Sequence, residues 1–283
     1  MKILVSSPAF CRSELQPMVD RLRETADEVV LNPKGGTLTK EEVLDLWSGV
    51  DGIIAGVEPY DAELLSKAPE SLNVISRYGT GYNSVDAKAA GRRGIVVTNT
   101  PGVNAAAVAD CAVGLILAVA RRIPQTDALT RRGAWKRYTG VELAGKTLGI
   151  VGLGFIGKEV ALRARGFGLR LVAYDPYFDE AFAKEMGVER VALDALLRGA
   201  DFITLHVPVT PETDGMINAG SLRTMKRSAF LINTARGQLV NEDDLFQALR
   251  SGEIAGAGLD VFHQEPLLKS SLFELENIVV TPH

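Results

Sequence analysis

The sequence predicts two α/β domains, each a doubly wound parallel sheet flanked by helices on both faces. Three observations predict this. Short apolar runs alternate with amphipathic segments over the first hundred residues, a proline–glycine break follows near residue 100, and a second series of runs begins at Lys146. At 283 residues the chain is also too long for one ordinary core and suits two.

In the first part, runs suited to buried parallel strands are residues 3–5, 29–31, 52–55, 74–76 and 95–98. Amphipathic segments at 15–23, 40–47 and 62–67 lie between them and read as helices. Asn99-Thr100-Pro101-Gly102 punctuates the chain, so the first domain is expected over 1–98 and the second over 99–283. A long Ala-rich helix follows, with Asn104 as its N-cap and Arg122 as its end, and it joins the two domains across a cleft. The second series of strands is expected at 146–151, 169–174, 188–191, 202–205, 229–232, 256–260 and 277–280.

Composition narrows the function classes. Hydrophobic residues make up 46% of the chain and charged residues 23%, the balance of a water-soluble globular protein. A net charge of -4 offers no electrostatic footprint for nucleic acid, and the scattered pairs Arg92-Arg93, Arg121-Arg122 and Arg131-Arg132 read as solvated faces. Small molecules or a second copy of the chain are the expected partners. Cys11 and Cys111 lie far apart, which fits free thiols in a reducing compartment. The N-terminus lacks the apolar region of a signal peptide, and the longest apolar stretch, residues 111–120, is too short to span a bilayer. A cytoplasmic protein without membrane contact is expected. His206, His263 and His283 have no ligand spacing, so no metal site is expected.

Gly152-Leu153-Gly154-Phe155-Ile156-Gly157 has the Gly-x-Gly-x-x-Gly spacing, and it lies between an apolar strand and a helical pattern. Gly152 permits a tight turn, Gly154 lets the backbone approach a pyrophosphate, and Gly157 lets the helix pack closely with its positive end toward the phosphates. The next strand ends at Tyr174-Asp175-Pro176, with Asp175 placed 18 residues after Gly157. A carboxylate there accepts from the adenosine ribose hydroxyls and repels a 2'-phosphate, which favours NAD over NADP on a Rossmann domain. The bland alternative is a structural turn beside a surface aspartate.

Thr234-Ala235-Arg236-Gly237 directly follows an expected strand, at the carboxyl end where parallel sheets bind ligands. Arg236 is either a carboxylate anchor, through its planar fork of donors, or an ordinary surface arginine. His283 also follows a strand, and Glu265 lies in the loop after the preceding one. A carboxylate beside an imidazole fixes its orientation and keeps a proton available, so the pair suits acid–base work. His206 closes another strand, where lining the cofactor is the favoured role, and His263 reads as a loop residue.

The chain resembles the D-2-hydroxyacid dehydrogenases. The resemblance rests on residues 77–86 (Arg-Tyr-Gly-Thr-Gly-Tyr-Asn-Ser-Val-Asp), 99–104 (Asn-Thr-Pro-Gly-Val-Asn) and 145–152 (Gly-Lys-Thr-Leu-Gly-Ile-Val-Gly). It extends to His206-Val207-Pro208 with Thr210-Pro211-Glu212-Thr213, Asn233-Thr234-Ala235-Arg236-Gly237, residues 258–262 leading to Glu265-Pro266, and Thr281-Pro282-His283. It implies a flavodoxin-like substrate-binding domain followed by the NAD-binding domain. It further implies that Arg236 binds the substrate carboxylate, that Glu265 supports His283 as proton donor and base, and that the backbone around Tyr78-Gly79 receives the carboxylate. Val108, Phe155, Ile156, Pro176, His206, Val207, Pro208, Thr213, Thr234, Ala235 and Asp260 would lie along the cofactor. Family members continue past the histidine into a final helix, and such a tail is expected beyond His283.

The main expectation is interconversion of a D-2-hydroxy acid and its 2-keto acid with NAD(H), on D-3-phosphoglycerate or on glyoxylate and hydroxypyruvate. Arg77 either binds a substrate phosphate or packs at its strand end. Phosphite oxidation and NAD(H) sensing of the co-repressor type are the rival readings. A hydrolase with bound NAD would need a larger substrate domain and further lysine and aspartate motifs that the sequence lacks. A homodimer through the NAD-binding domain is expected, using residues 108–122 and 123–138.

Overall fold

The computed structural model describes residues 1–283, which divide into two compact units, Met1–Asn104 and Ala105–His283. The first unit runs β1 (Lys2–Val5), α1 (Gln16–Thr25), β2 (Glu28–Leu31), α2 (Lys40–Leu46), β3 (Gly52–Ala55), α3 (Ala62–Ser66), β4 (Val74–Arg77), α4 (Ala87–Arg92) and β5 (Val96–Thr98). Its five strands are all parallel, in the order β2-β1-β3-β4-β5. Local chemistry starts the helices. Thr39 and Glu42 form a reciprocal capping box at α2, while the carboxylates of Asp61 and Asp86 accept from Leu64 N–H and Ala89 N–H at α3 and α4. The core gathers Leu4, Ile53 and Ile75 from the sheet with Tyr60, Leu64 and Leu65 from the covering layer.

The second unit runs α5 (Ala105–Arg121), α6 (Ile123–Arg131), β6 (Thr147–Val151), α7 (Phe155–Arg165), β7 (Arg170–Tyr174), α8 (Glu180–Met186), β8 (Val188–Arg190), α9 (Leu193–Gly199), β9 (Phe202–Leu205), α10 (Ala219–Thr224), β10 (Phe230–Asn233), α11 (Glu242–Ser251), β11 (Gly256–Leu259) and β12 (Ile278–Val280). Its seven parallel strands are ordered β12-β11-β10-β9-β6-β7-β8, so the winding reverses between β6 and β9. Sheets of this kind bind ligands outside the carboxyl ends of strands at that reversal. Every residue of β9, β10 and β11 is buried, as strands covered on both faces must be. Each buried Leu or Ile there contributes roughly 1.5–3 kcal/mol.

Helix α5 packs on α7, β10 and β11 through small and apolar residues, and a Cβ on Gly258 would already touch Leu115 Cβ at 3.0 Å. The helix stops at Arg121 and not at the expected Arg122. Arg122 takes a left-handed conformation (φ 54°), and Pro124 then opens α6. Asn104, expected to cap α5, accepts a hydrogen bond from Thr80 Oγ1 at 2.8 Å. Strand β10 extends one residue beyond the expected 232 and ends on Asn233. No helix is long and apolar enough to cross a membrane.

Candidate active site

The glycine loop joins β6 to α7 at the reversal point. Gly152 has φ 98°, and a Cβ there would lie 2.6 Å from the carbonyl oxygen of His206. A Cβ on Gly157 would lie 2.0 Å from the Gly152 carbonyl oxygen. Only glycine fits either place. Gly154 is different: a Cβ there meets nothing within 4 Å, so its approach is open. No side chain caps α7, which leaves the partial positive charge of its first turn for a ligand. Phe155 is exposed and Ile156 half-buried at that turn.

Asp175 stands beside the loop because Tyr174 pairs with Val151 in the sheet. Its Oδ2 accepts from Leu153 N–H at 2.6 Å and its Oδ1 from Tyr177 N–H at 2.7 Å. Each oxygen keeps a lone pair for another donor. Pro176 beside it is exposed.

His206 and Thr234 follow β9 and β10, whose last residues, Leu205 and Asn233, pair with each other. His206 Nε2 meets Thr204 Oγ1 at 2.9 Å, whereas the buried His206 Nδ1 and Thr234 Oγ1 have no protein partner. Burial pushes the His206 pKa down to about 3, so its ring is neutral. Two orphaned polar atoms on neighbouring strand ends point to a polar ligand there, because an unmet buried group costs about 1–3 kcal/mol. With the glycine loop and Asp175, these residues fit a dinucleotide. Val207 and Ala235 are buried nearby in sequence, and Thr213 Oγ1 donates to Pro208 O at 2.7 Å and accepts from Thr210 N–H at 2.8 Å, which closes the turn after β9. Val108 is half-buried on α5. Asp260 N–H donates to Asn233 O, and the Asp260 carboxylate accepts from Thr281 Oγ1.

The structure brings Arg236, Glu265 and His283 into one region of the second unit. Arg236 is half-buried in extended backbone after β10, and its Nη1 donates to Ala235 O at 2.6 Å. Burial lowers the guanidinium pKa, and the charge of Glu265 opposes that shift. Glu265 Oε2 lies 2.6 Å from His283 Nδ1, and Oε1 accepts from Phe262 N–H at 2.9 Å. An apolar cavity of about 330 Å³, lined by Phe262, Leu267, Phe273 and Val280 among others, flanks this pair. His263 side chain is exposed, and its N–H donates to Glu242 Oε1 at 2.6 Å.

Arg77, Tyr78 and Gly79 sit at the carboxyl end of β4 in the first unit. Tyr78 N–H donates to Ala55 O and Gly79 N–H to Arg77 O, both at 2.9 Å, so these amides already have partners. Arg77 Nη1 donates to the carbonyls of Tyr78 and Ala55, folding the guanidinium over Gly79.

Three residues escape a reading based on motif roles. Gly237 lets two loops touch, since a Cβ there would lie 1.9 Å from the carbonyl carbon of Phe262. Glu242 braces the loop that carries Glu265. Asn233, 1% exposed, accepts from Ala235 N–H and donates to Arg236 O. The only sequence signal for them is their place around Arg236.

Residues 113–283 match the family model described as D-isomer specific 2-hydroxyacid dehydrogenase, NAD binding domain. A glyoxylate reductase of Korarchaeum cryptofilum is 46% identical over 253 residues, covering 87% of this chain and 76% of that protein. A D-3-phosphoglycerate dehydrogenase of Methanocaldococcus jannaschii is 42% identical across 100% of this chain, which spans only 53% of that protein's length. Among solved structures, a glyoxylate reductase from Paecilomyes thermophila superposes with a TM-score of 0.89 at 30% identity, covering 100% of this chain and 88% of that one. The D-lactate dehydrogenase from Aquifex aeolicus complexed with NAD and lactic acid gives a TM-score of 0.87 at 29% identity, with the same coverage. With its seven-stranded Rossmann sheet and glycine loop, the chain belongs to the D-isomer specific 2-hydroxyacid dehydrogenase family, NAD-dependent oxidoreductases that interconvert 2-hydroxy acids and 2-keto acids.

Proposed function

We propose that this enzyme reduces a small, unphosphorylated 2-keto acid of the glyoxylate or hydroxypyruvate kind to the D-2-hydroxy acid. The observation that carries this reading is the Glu265–His283 contact of 2.6 Å, with Arg236 near enough to feel the Glu265 charge. The bound dinucleotide supplies the hydride for reduction and accepts it in the reverse direction. The open face at Gly154, the first turn of α7, Asp175 and the strand ends at His206 and Thr234 hold it. Arg236 grips the substrate carboxylate through its planar fork. Glu265 holds His283 Nδ1, so Nε2 is the atom that gives a proton to the keto oxygen and takes it back during oxidation. Tyr78 and Gly79 are proposed to offer the first unit's backbone to a substrate carboxylate, which requires the Gly79 amide to release Arg77 O.

Engagement of Arg77 with its own loop favours packing over phosphate recognition at that residue, and the glyoxylate reductases among the relatives agree with a small substrate. NADH-dependent reduction of glyoxylate, hydroxypyruvate and 3-phosphohydroxypyruvate should give the highest kcat/KM for an unphosphorylated acid. A clear preference for the phosphorylated one refutes this substrate assignment.

The chain is further proposed to act in the cytoplasm as a homodimer through its NAD-binding unit. Trp135 is 88% exposed and Ile123 52% exposed on and after α6, two large apolar side chains that a second copy would cover. Light scattering that returns the monomer mass would remove the dimer.

A further inference from the structure

We propose that Asn233 is a positioning residue for the substrate: its side chain locks the turn after β10 and thereby aims the Arg236 guanidinium. This inference rests on the reading of Arg236 as the carboxylate anchor.

Arg236 has a long, flexible side chain, and an anchor needs a fixed base. The backbone beneath it is not helical; it is extended (φ -148°, ψ 141°), so no regular ladder holds it. Asn233 supplies the missing restraints. Its Oδ1 accepts from Ala235 N–H at 3.0 Å, and its Nδ2 donates to Arg236 O at 2.8 Å. Ala235 O in turn accepts from Arg236 Nη1 at 2.6 Å. The peptide group before Ala235 and the one after Arg236 are thus tied to a single side chain, while the carbonyl between them holds the guanidinium.

Asn233 is itself tied into the sheet. Its backbone pairs with Leu205 on one side and Leu259 on the other, and its carbonyl accepts from Asp260 N–H at 2.9 Å. The side chain is 1% exposed, so water cannot replace the bonds it makes. The chemistry selects asparagine, because the site needs one acceptor and one donor on the same planar group. Aspartate lacks the donor, and serine reaches with a single oxygen. The fold then adds a wall on the far side, where Gly237 packs against the Phe262–His263 backbone. The turn is held from β10 and pressed against the loop of Glu265.

A double-mutant cycle tests the coupling, using purified full chain and glyoxylate with NADH. Asn233→Ala should lower kcat/KM about a hundredfold, mainly through KM, because a small misplacement of an anchoring group has that order of effect. Asn233→Ser, which keeps an oxygen able to accept from Ala235 N–H, should fall between Ala and wild type. NADH affinity, read by fluorescence titration, should change less than about threefold, since the glycine loop, the first turn of α7 and Asp175, which carry most of the hold on the dinucleotide, are left intact. In an Arg236→Ala background, either Asn233 change should alter kcat/KM by less than about threefold. If Asn233→Ala does not fold, the serine variant carries the comparison in both backgrounds. An equal loss in the two backgrounds, or a matching loss of NADH affinity, overturns the proposal. If Arg236→Ala alone leaves KM unchanged, the anchor reading itself fails and this inference with it.

Discussion

Alanine at Gly154 and at Gly157 should produce two different failures, although both glycines belong to one loop. At Gly157 the new Cβ would sit 2.0 Å from the Gly152 carbonyl oxygen, about 1.4 Å inside ordinary contact. The oxygen belongs to a backbone pinned against His206, so the first turn of α7 must move outward. Overpacking of this kind costs about 1–3 kcal/mol, and in a chain of this size each kcal/mol lowers Tm by about 2–4 °C. Displacing that turn also pulls its amides from the phosphates, so NADH affinity should fall at least about tenfold. At Gly154 the Cβ meets nothing, and the backbone is already one that alanine adopts (φ -77°). Its Tm without ligand should therefore stay within about 3 °C of wild type, as exchanging glycine for alanine at an N-cap costs under about 1 kcal/mol. NADH affinity should nevertheless drop at least about tenfold, because the methyl group occupies the space a pyrophosphate would approach. Differential scanning fluorimetry and NADH titration read both numbers. Wild-type NADH affinity in Gly154→Ala would refute the pyrophosphate placement, and an unchanged Tm in Gly157→Ala would refute the packing argument.

Glu265→Gln should lower kcat about tenfold with NADH affinity unchanged, since it removes a charge-assisted bond whose exposure keeps its worth modest; steady-state kinetics that leave kcat intact would count against the proton relay. Asp175→Asn keeps an acceptor for Leu153 N–H but removes the charge, so the preference for NADH over NADPH should shrink about tenfold or more in paired kcat/KM measurements. His206 has a folded pKa pushed down to about 3 from 6.5, so the unfolded chain binds the extra proton between those values. Its contribution to stability is therefore complete above pH 6.5 and lost as pH falls. Urea unfolding near pH 7.5 and near pH 5 should show wild type losing about 2 kcal/mol more than His206→Gln.

Much of the architecture is legible in the sequence because buried parallel strands are short apolar runs, and β1, β3, β6 and β9 carry that pattern plainly. The glycine loop is legible for a similar reason: Gly152, Gly154 and Gly157 are spaced by the geometry of one strand, turn and helix. What escapes the sequence depends on partners far along the chain. Arg77 has the charge of a phosphate ligand, yet its Nη1 donates to the carbonyls of Tyr78 and Ala55, the second of which lies on a neighbouring strand. Asp175 is visible as a ribose acceptor, but its bond to Leu153 N–H spans 22 residues and makes it part of the loop as well. Arg122 looks like the last residue of a helix, and only Pro124 hints that the chain turns there through a left-handed residue.

The close approach at Gly237 has a consequence for how such an enzyme can change over time. The turns that carry Arg236 and Glu265 share a wall made of main chain, with no side chain between them that mutation could lengthen or trim. The spacing of Arg236 from the Glu265 loop is thereby shielded from drift in the surrounding side chains. The shield has one weak point, because any residue larger than glycine at position 237 would pry the two turns apart.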